Sequence, residues 1–162
     1  METLEIELGE EISDYERERG KPMPTFEHSF TQRKLIYAIE FSGKYLAMPE
    51  LSLDLYGYKP IPDIAVFPIT MYNELLAFGA SKISIIPLLT VEILSPHQSL
   101  RDLFDKSQKF LKHGVDEAWV IVPEIKSITV FRTNEEPKTF ITGDVRQEST
   151  GITVNIEQLF SL

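Results

Sequence analysis

The chain is predicted to fold as an α/β domain, in the α+β sense of irregularly mixed helices and strands. Three observations carry this. The run Leu88 to Leu94 is apolar without in/out alternation, as in a strand covered on both faces. The segment after Ser99 repeats its apolar residues at Leu100, Leu103, Phe104, Phe110 and Leu111, the i, i+3, i+4 rhythm of an amphipathic helix. The elements read in the order helix, strands, helix, strands, and 162 residues at 43% hydrophobic suffice for one real core.

Residues 1 to 14 read as an acidic N-terminal segment and residues 15 to 162 as a single domain. The glycine and prolines of Arg19-Gly-Lys-Pro-Met-Pro24 forbid a continuous helix or central strand. From Ser29 to Phe41 good helix formers run without breakers, with Phe30, Tyr37 and Phe41 near one face, and Gly43 follows. Tyr45 to Tyr56 and Ile61 to Phe67 read as strands joined by a short loop, a β-hairpin. Between Pro68 and Ser81 helical spacing of Tyr72, Leu75, Leu76 and Phe78 mixes with turn residues, so a short helix and an irregular excursion both fit. The next helix takes Ser99 as N-cap, with Asp102 three residues on, and Gly114 as its C′ stop. Ala118 to Val122 and Ser127 to Phe131 form a strand pair around Pro123, and Ile152, Val154 and Ile156 alternate near the end.

Cysteine is absent, which excludes a disulfide framework and thiolate chemistry and fits a reducing cytoplasm. No apolar run reaches a membrane span, and the acidic start excludes a signal peptide, so the sequence reads as soluble and intracellular. The net charge of -9 argues against a strong nucleic-acid binder. That objection is local, however. Residues 1 to 20 carry eight acids against Arg17 and Arg19, a net of -6, which leaves -3 for the rest. Arg101, Lys106, Lys109 and Lys112 form one basic segment.

Glu92 lies inside the doubly covered strand, where an ionised carboxylate is expensive unless paired or bound to a metal. A second acid, Asp63 of Ile61-Pro-Asp-Ile-Ala-Val-Phe67, lies in another such strand upstream. Two acids on neighbouring central strands suggest a cation site. At about 100° per residue, Asp102, Lys106, Lys109 and His113 share one side of the helix, with Lys106 beside the apolar stripe near Phe110. Packing of this helix back on the sheet would bring the Lys106 ammonium within reach of both acids. Such a trio suits metal-assisted phosphodiester hydrolysis: two carboxylates for Mg²⁺ or Mn²⁺, and a lysine that orients or helps deprotonate water. Other readings stand beside this one. Glu92 can instead pair with an arginine such as Arg33 or Arg132, and Lys106 with Asp102 at i, i+4. His28 and His97 lack metal-ligand spacing and read as surface or capping residues, and Trp119 as core.

The segments Glu16-Arg-Glu-Arg-Gly20, Pro62-Asp63, Val91-Glu-Ile-Leu-Ser-Pro96, Asp102-x-x-x-Lys106-x-x-x-Phe110 and Gly114-Val115-Asp-Glu-Ala-Trp119 occur in that order. In combination they resemble the Uma2 family of proposed restriction endonucleases, over roughly residues 15 to 160. That family is placed in the PD-(D/E)XK nuclease superfamily, and many relatives occur in cyanobacteria. The resemblance implies a restriction-endonuclease-like mixed central β-sheet flanked by helices, with Asp63 and Glu92 as metal ligands and Glu16 as a weaker third. It implies DNA as substrate and Mg²⁺ or Mn²⁺ as cofactor. The lysine that the superfamily places two residues after the second acid is replaced here by Leu94, and relatives commonly carry it at the position of Lys106. A homodimer is the simplest arrangement for cutting both strands of a duplex. The alternative function is a nuclease-fold module that no longer cuts and serves in binding or oligomerisation.

Overall fold

The computed structural model describes residues 23–162. Helix α1 spans Phe26–Glu40, with Thr25 as its N-cap, because the Thr25 hydroxyl accepts the His28 main-chain N–H. Strands β1 (Tyr45–Pro49) and β2 (Ile64–Pro68) follow, then a 3-10 turn (Ile69–Met71) running into short helix α2 (Tyr72–Leu76). Strand β3 is Leu89–Ile93, helix α3 Leu100–Lys112, strand β4 Glu117–Val122 and strand β5 Ser127–Arg132. Strands β6 (Lys138–Phe140), β7 (Asp144–Arg146) and β8 (Thr153–Asn155) and helix α4 (Ile156–Leu159) complete the described chain.

Six strands form one sheet in the order β1-β2-β3-β4-β5-β6, and β7 pairs with β8 separately. The β3–β4 pair is parallel and the other neighbours are antiparallel, so the sheet is mixed. The parallel step is forced by α3, which carries the chain from the end of β3 back to the start of β4. Leu89, Val91 and Ile93 of β3 and Trp119 and Ile121 of β4 pack with Leu35 and Ile39 of α1. On the other face Ala65 and Phe67 pack with Phe110 of α3, and Ala118 and Val120 pack with Leu103 and Leu111. All five residues of β3 are buried, as a strand with helices on both faces requires.

Helix α3 matches its sequence signals at both ends. Ser99 Oγ accepts the Asp102 N–H at 3.3 Å. At the far end Val115 N–H bonds Phe110 O and Gly114 N–H bonds Leu111 O, the paired 6→1 and 5→2 closure that needs a left-handed C′ residue. Gly114 supplies it with φ +96°.

Three expectations are corrected. α1 begins at Phe26 and buries His28, Thr31, Leu35 and Ile39, while Tyr37 and Phe41 are exposed. Its inward face was therefore the aliphatic one, and the aromatic residues lie outside. β1 and β2 do pair antiparallel, but the first strand ends at Pro49, and residues 50 to 63 make a long excursion. Glu50 and Tyr56 have positive φ, which breaks the strand, while Leu53 and Leu55 are buried in the core on the α3 side. Near the end, Ile156 does not extend the alternation of Ile152 and Val154 but opens α4, whose N-cap Asn155 accepts the Gln158 N–H.

Candidate active site

The sheet register brings the two predicted acids together. Ile64 pairs with Val91 across β2 and β3, so one further step sets Asp63 opposite Glu92. Thr90 pairs with Ala65, so Glu92 two residues on faces the α3 side, while the carboxylate of Asp63, one residue before β2, lies against His28 of α1. Both are withdrawn from solvent, at 2% and 1% exposure.

Lys106 reaches the same place from α3. Its Nζ lies 3.1 Å from Glu92 Oε1 and donates to the Ile61 carbonyl at 3.2 Å, two residues before Asp63. The stem runs past the Phe110 ring, with Nζ 6.0 Å from the ring centroid. Lys106 thus pairs with Glu92 rather than sitting as a solvated partner of Asp102. Arg132, the other partner weighed for Glu92, pairs with Glu117 instead. Arg33 lies over the Phe30 ring at 5.1 Å. Glu16 lies outside the described residues.

Several described residues grip Asp63. Its Oδ2 accepts the Ile93 main-chain N–H at 2.7 Å and lies 3.2 Å from His28 Nε2. Gln32 Nε2 donates to the Asp63 main-chain carbonyl at 2.8 Å. His28 is therefore buried beside the acid pair, not at the surface, whereas His97 is exposed in a turn. Neither His28 nor Gln32 carried a local signal, because both contacts join residues more than thirty positions apart. The one available hint was their i, i+4 spacing, which puts both on one face of α1.

Tyr58 closes the α3 side. Its ring lies 5.7 Å from Phe110 and 4.8 Å from His113, with Lys109 Nζ 4.5 Å from its centroid. Burial, and secondly the charge of Glu92, push its hydroxyl up to about 12.

A third buried acid stands at the start of β4. Glu117 accepts from Arg132 Nε and from Trp119 Nε1, the latter at 2.7 Å. Burial pushes its carboxyl up, against the pull of these two donors. This pair is structural, fastening β4 to β5, where Glu117 and Arg132 face each other in the register. The hollow of about 240 Å³ beside it, lined by Arg132, Lys138, Phe140 and Arg146 among others, includes neither Asp63, Glu92 nor Lys106.

Among the described residues no three of His, Cys, Asp and Glu form a metal cage. The two carboxylates at one strand end supply hard oxygen donors, the kind Mg²⁺ takes in ones and twos while it keeps most of its waters. The donor set fits such an ion.

A mixed sheet with helices on both faces and paired acids at the β2–β3 end defines an α+β protein of nuclease-like fold. The crystal structure of a protein from Anabaena variabilis, described as "a putative nuclease belonging to DUF820", is similar to it. The TM-score is 0.72 at 28% identity, over 86% of this chain and 83% of that one. The Uma2 family, described as "Putative restriction endonuclease", matches residues 3–159, and the chain belongs to that family. No match was found among curated proteins. Among the described residues no helix is long and apolar enough to cross a membrane.

Proposed function

We propose that the protein is a metal-dependent endonuclease hydrolysing DNA phosphodiester bonds, with Asp63 and Glu92 as ligands of Mg²⁺ or Mn²⁺ and Lys106 as the third catalytic group. The observation that carries this reading is the Lys106 ammonium 3.1 Å from a carboxylate that is 1% exposed and lies opposite a second buried acid, one register step beyond the Ile64–Val91 pair. A cation bound there supplies Lewis acidity toward the phosphate. The residues do the rest. Asp63 and Glu92 alone would repel a phosphodiester, so their charge has to be offset before substrate can approach. Lys106 offsets part of it and, held by the Ile61 carbonyl, keeps its ammonium at the strand end, where it can orient the attacking water. Membership of Uma2 and the nuclease-like neighbour support the same reaction class. Two copies related by a twofold axis would present one site to each strand of cytoplasmic DNA.

The test is conversion of supercoiled plasmid to nicked or linear DNA in Mg²⁺ or Mn²⁺, with chelator as control. Wild type cuts, and Asp63→Ala and Glu92→Ala do not. Full activity in either variant overturns the assignment.

A further inference from the structure

We infer that His28 is a positioning residue for the proposed metal site: its Nε2–H fixes the Asp63 carboxylate, while Gln32 fixes the main chain beneath it. This rests on the reading of Asp63 as a metal ligand.

Helix α1 is started by Thr25, whose hydroxyl takes the His28 N–H, so His28 falls on the first turn and Gln32 one turn later on the same face. That face otherwise packs Leu35 and Ile39 onto the sheet. An imidazole at 6% exposure is costly in such a place unless it is hydrogen-bonded. Its bond is to Asp63. A carboxylate is acceptor-only, so the ring nitrogen 3.2 Å from Oδ2 carries the hydrogen. The other nitrogen, Nδ1, has no hydrogen-bond partner among the described residues. The ring is thus engaged through Nε2 alone, at a position where an aliphatic side chain would pack at lower cost.

The geometry at Asp63 explains the expense. Oδ2 accepts from both the Ile93 N–H and His28, so the carboxyl group cannot turn about χ2 without breaking two buried bonds. Gln32, bonded to the Asp63 carbonyl at 2.8 Å, holds the main chain just before β2 together with the Glu50 N–H, which donates to the same carbonyl at 3.1 Å. A carboxylate held in this way keeps a fixed orientation. Outer-shell partners of this kind are worth about 10–100-fold in metal affinity.

Calorimetric titration of the full chain with Mn²⁺ tests this, using wild type, Asp63→Asn, His28→Leu and His28→Gln. Leucine fills the space but donates nothing, whereas the glutamine amide can donate to Oδ2. Asp63→Asn should abolish binding. His28→Leu should weaken it about 10–100-fold, and His28→Gln should recover a clear part of that loss. Cleavage assays should agree: His28→Leu needs more metal but approaches wild-type kcat at saturation. If Asp63→Asn loses binding while both His28 variants bind like wild type, or if Leu and Gln are equally impaired, the positioning role is overturned and the Asp63 assignment stands. If Asp63→Asn binds Mn²⁺ as wild type does, the metal-site reading itself fails and this inference with it.

Discussion

Replacing Lys106 with methionine keeps the stem and removes the ammonium. Glu92, 1% exposed, then loses a charge partner 3.1 Å away. Breaking a fully buried pair costs about 3–5 kcal/mol. The Lys106 side chain is 24% exposed, so solvent already screens part of the interaction, and about 2–3 kcal/mol is expected here. For a domain of this size that corresponds to a fall in Tm of roughly 4–12 °C. Glu92→Gln removes the other partner more cheaply, about 1 kcal/mol, because the lysine keeps the Ile61 carbonyl and can reach water. The double variant should be less destabilised than the sum of the two by about 1–2 kcal/mol. Urea denaturation in chelator measures all three variants against wild type. Additivity within about 0.5 kcal/mol would mean that the two side chains do not interact, and the site as described would be wrong.

Glu92→Gln should also lower the Tyr58 hydroxyl from its value of about 12, yet leave it above the ordinary 10, since burial is the larger cause; NMR titration of the tyrosine ring carbon reads this. An unchanged Tyr58 would show that the Glu92 charge does not reach it. Because the folded state holds that proton more tightly than the unfolded chain, stability present below pH 10 is lost as pH rises toward about 12, and Tyr58→Phe should flatten this decline. Glu117→Ala strands the Arg132 guanidinium and the Trp119 N–H and should cost about 2–4 kcal/mol in urea denaturation without altering metal binding. Gly114→Ala puts a Cβ 3.0 Å from Ile86 Cδ1 at φ +96°, and should cost about 1–3 kcal/mol by the same assay.

Glu92 was legible because it broke a local rule: a carboxylate in a strand with no polar face is visible in the sequence itself. Asp63 was expected inside a strand but lies one residue before β2, where Pro62 precedes it. Helix α3 was legible because its caps and its apolar rhythm agree, and Lys106 followed from the helix geometry. α1 was harder. Its aromatic residues Tyr37 and Phe41 are its largest apolar groups yet point outward, and its inward face includes His28 and Thr31, which no hydrophobic count selects. The segment after Pro49 alternates leucines at 51, 53 and 55 as a strand would, but positive φ at Glu50 and Tyr56 turns it into an excursion. The grip of His28 and Gln32 on Asp63 depends on packing α1 against the β2–β3 end, a tertiary fact with no local signature. The Glu117–Arg132 pair was missed for the same reason: it depends on the β4–β5 register.

Diffraction from crystals grown with Mn²⁺, using the anomalous signal of the ion, tests the central claim most directly. The account predicts a peak at the β2–β3 end within about 2.0–2.3 Å of a carboxylate oxygen from each of Asp63 and Glu92, with the Lys106 ammonium beside it. A manganese peak bound elsewhere, or Asp63 and Glu92 left without metal at saturating concentration, would contradict it.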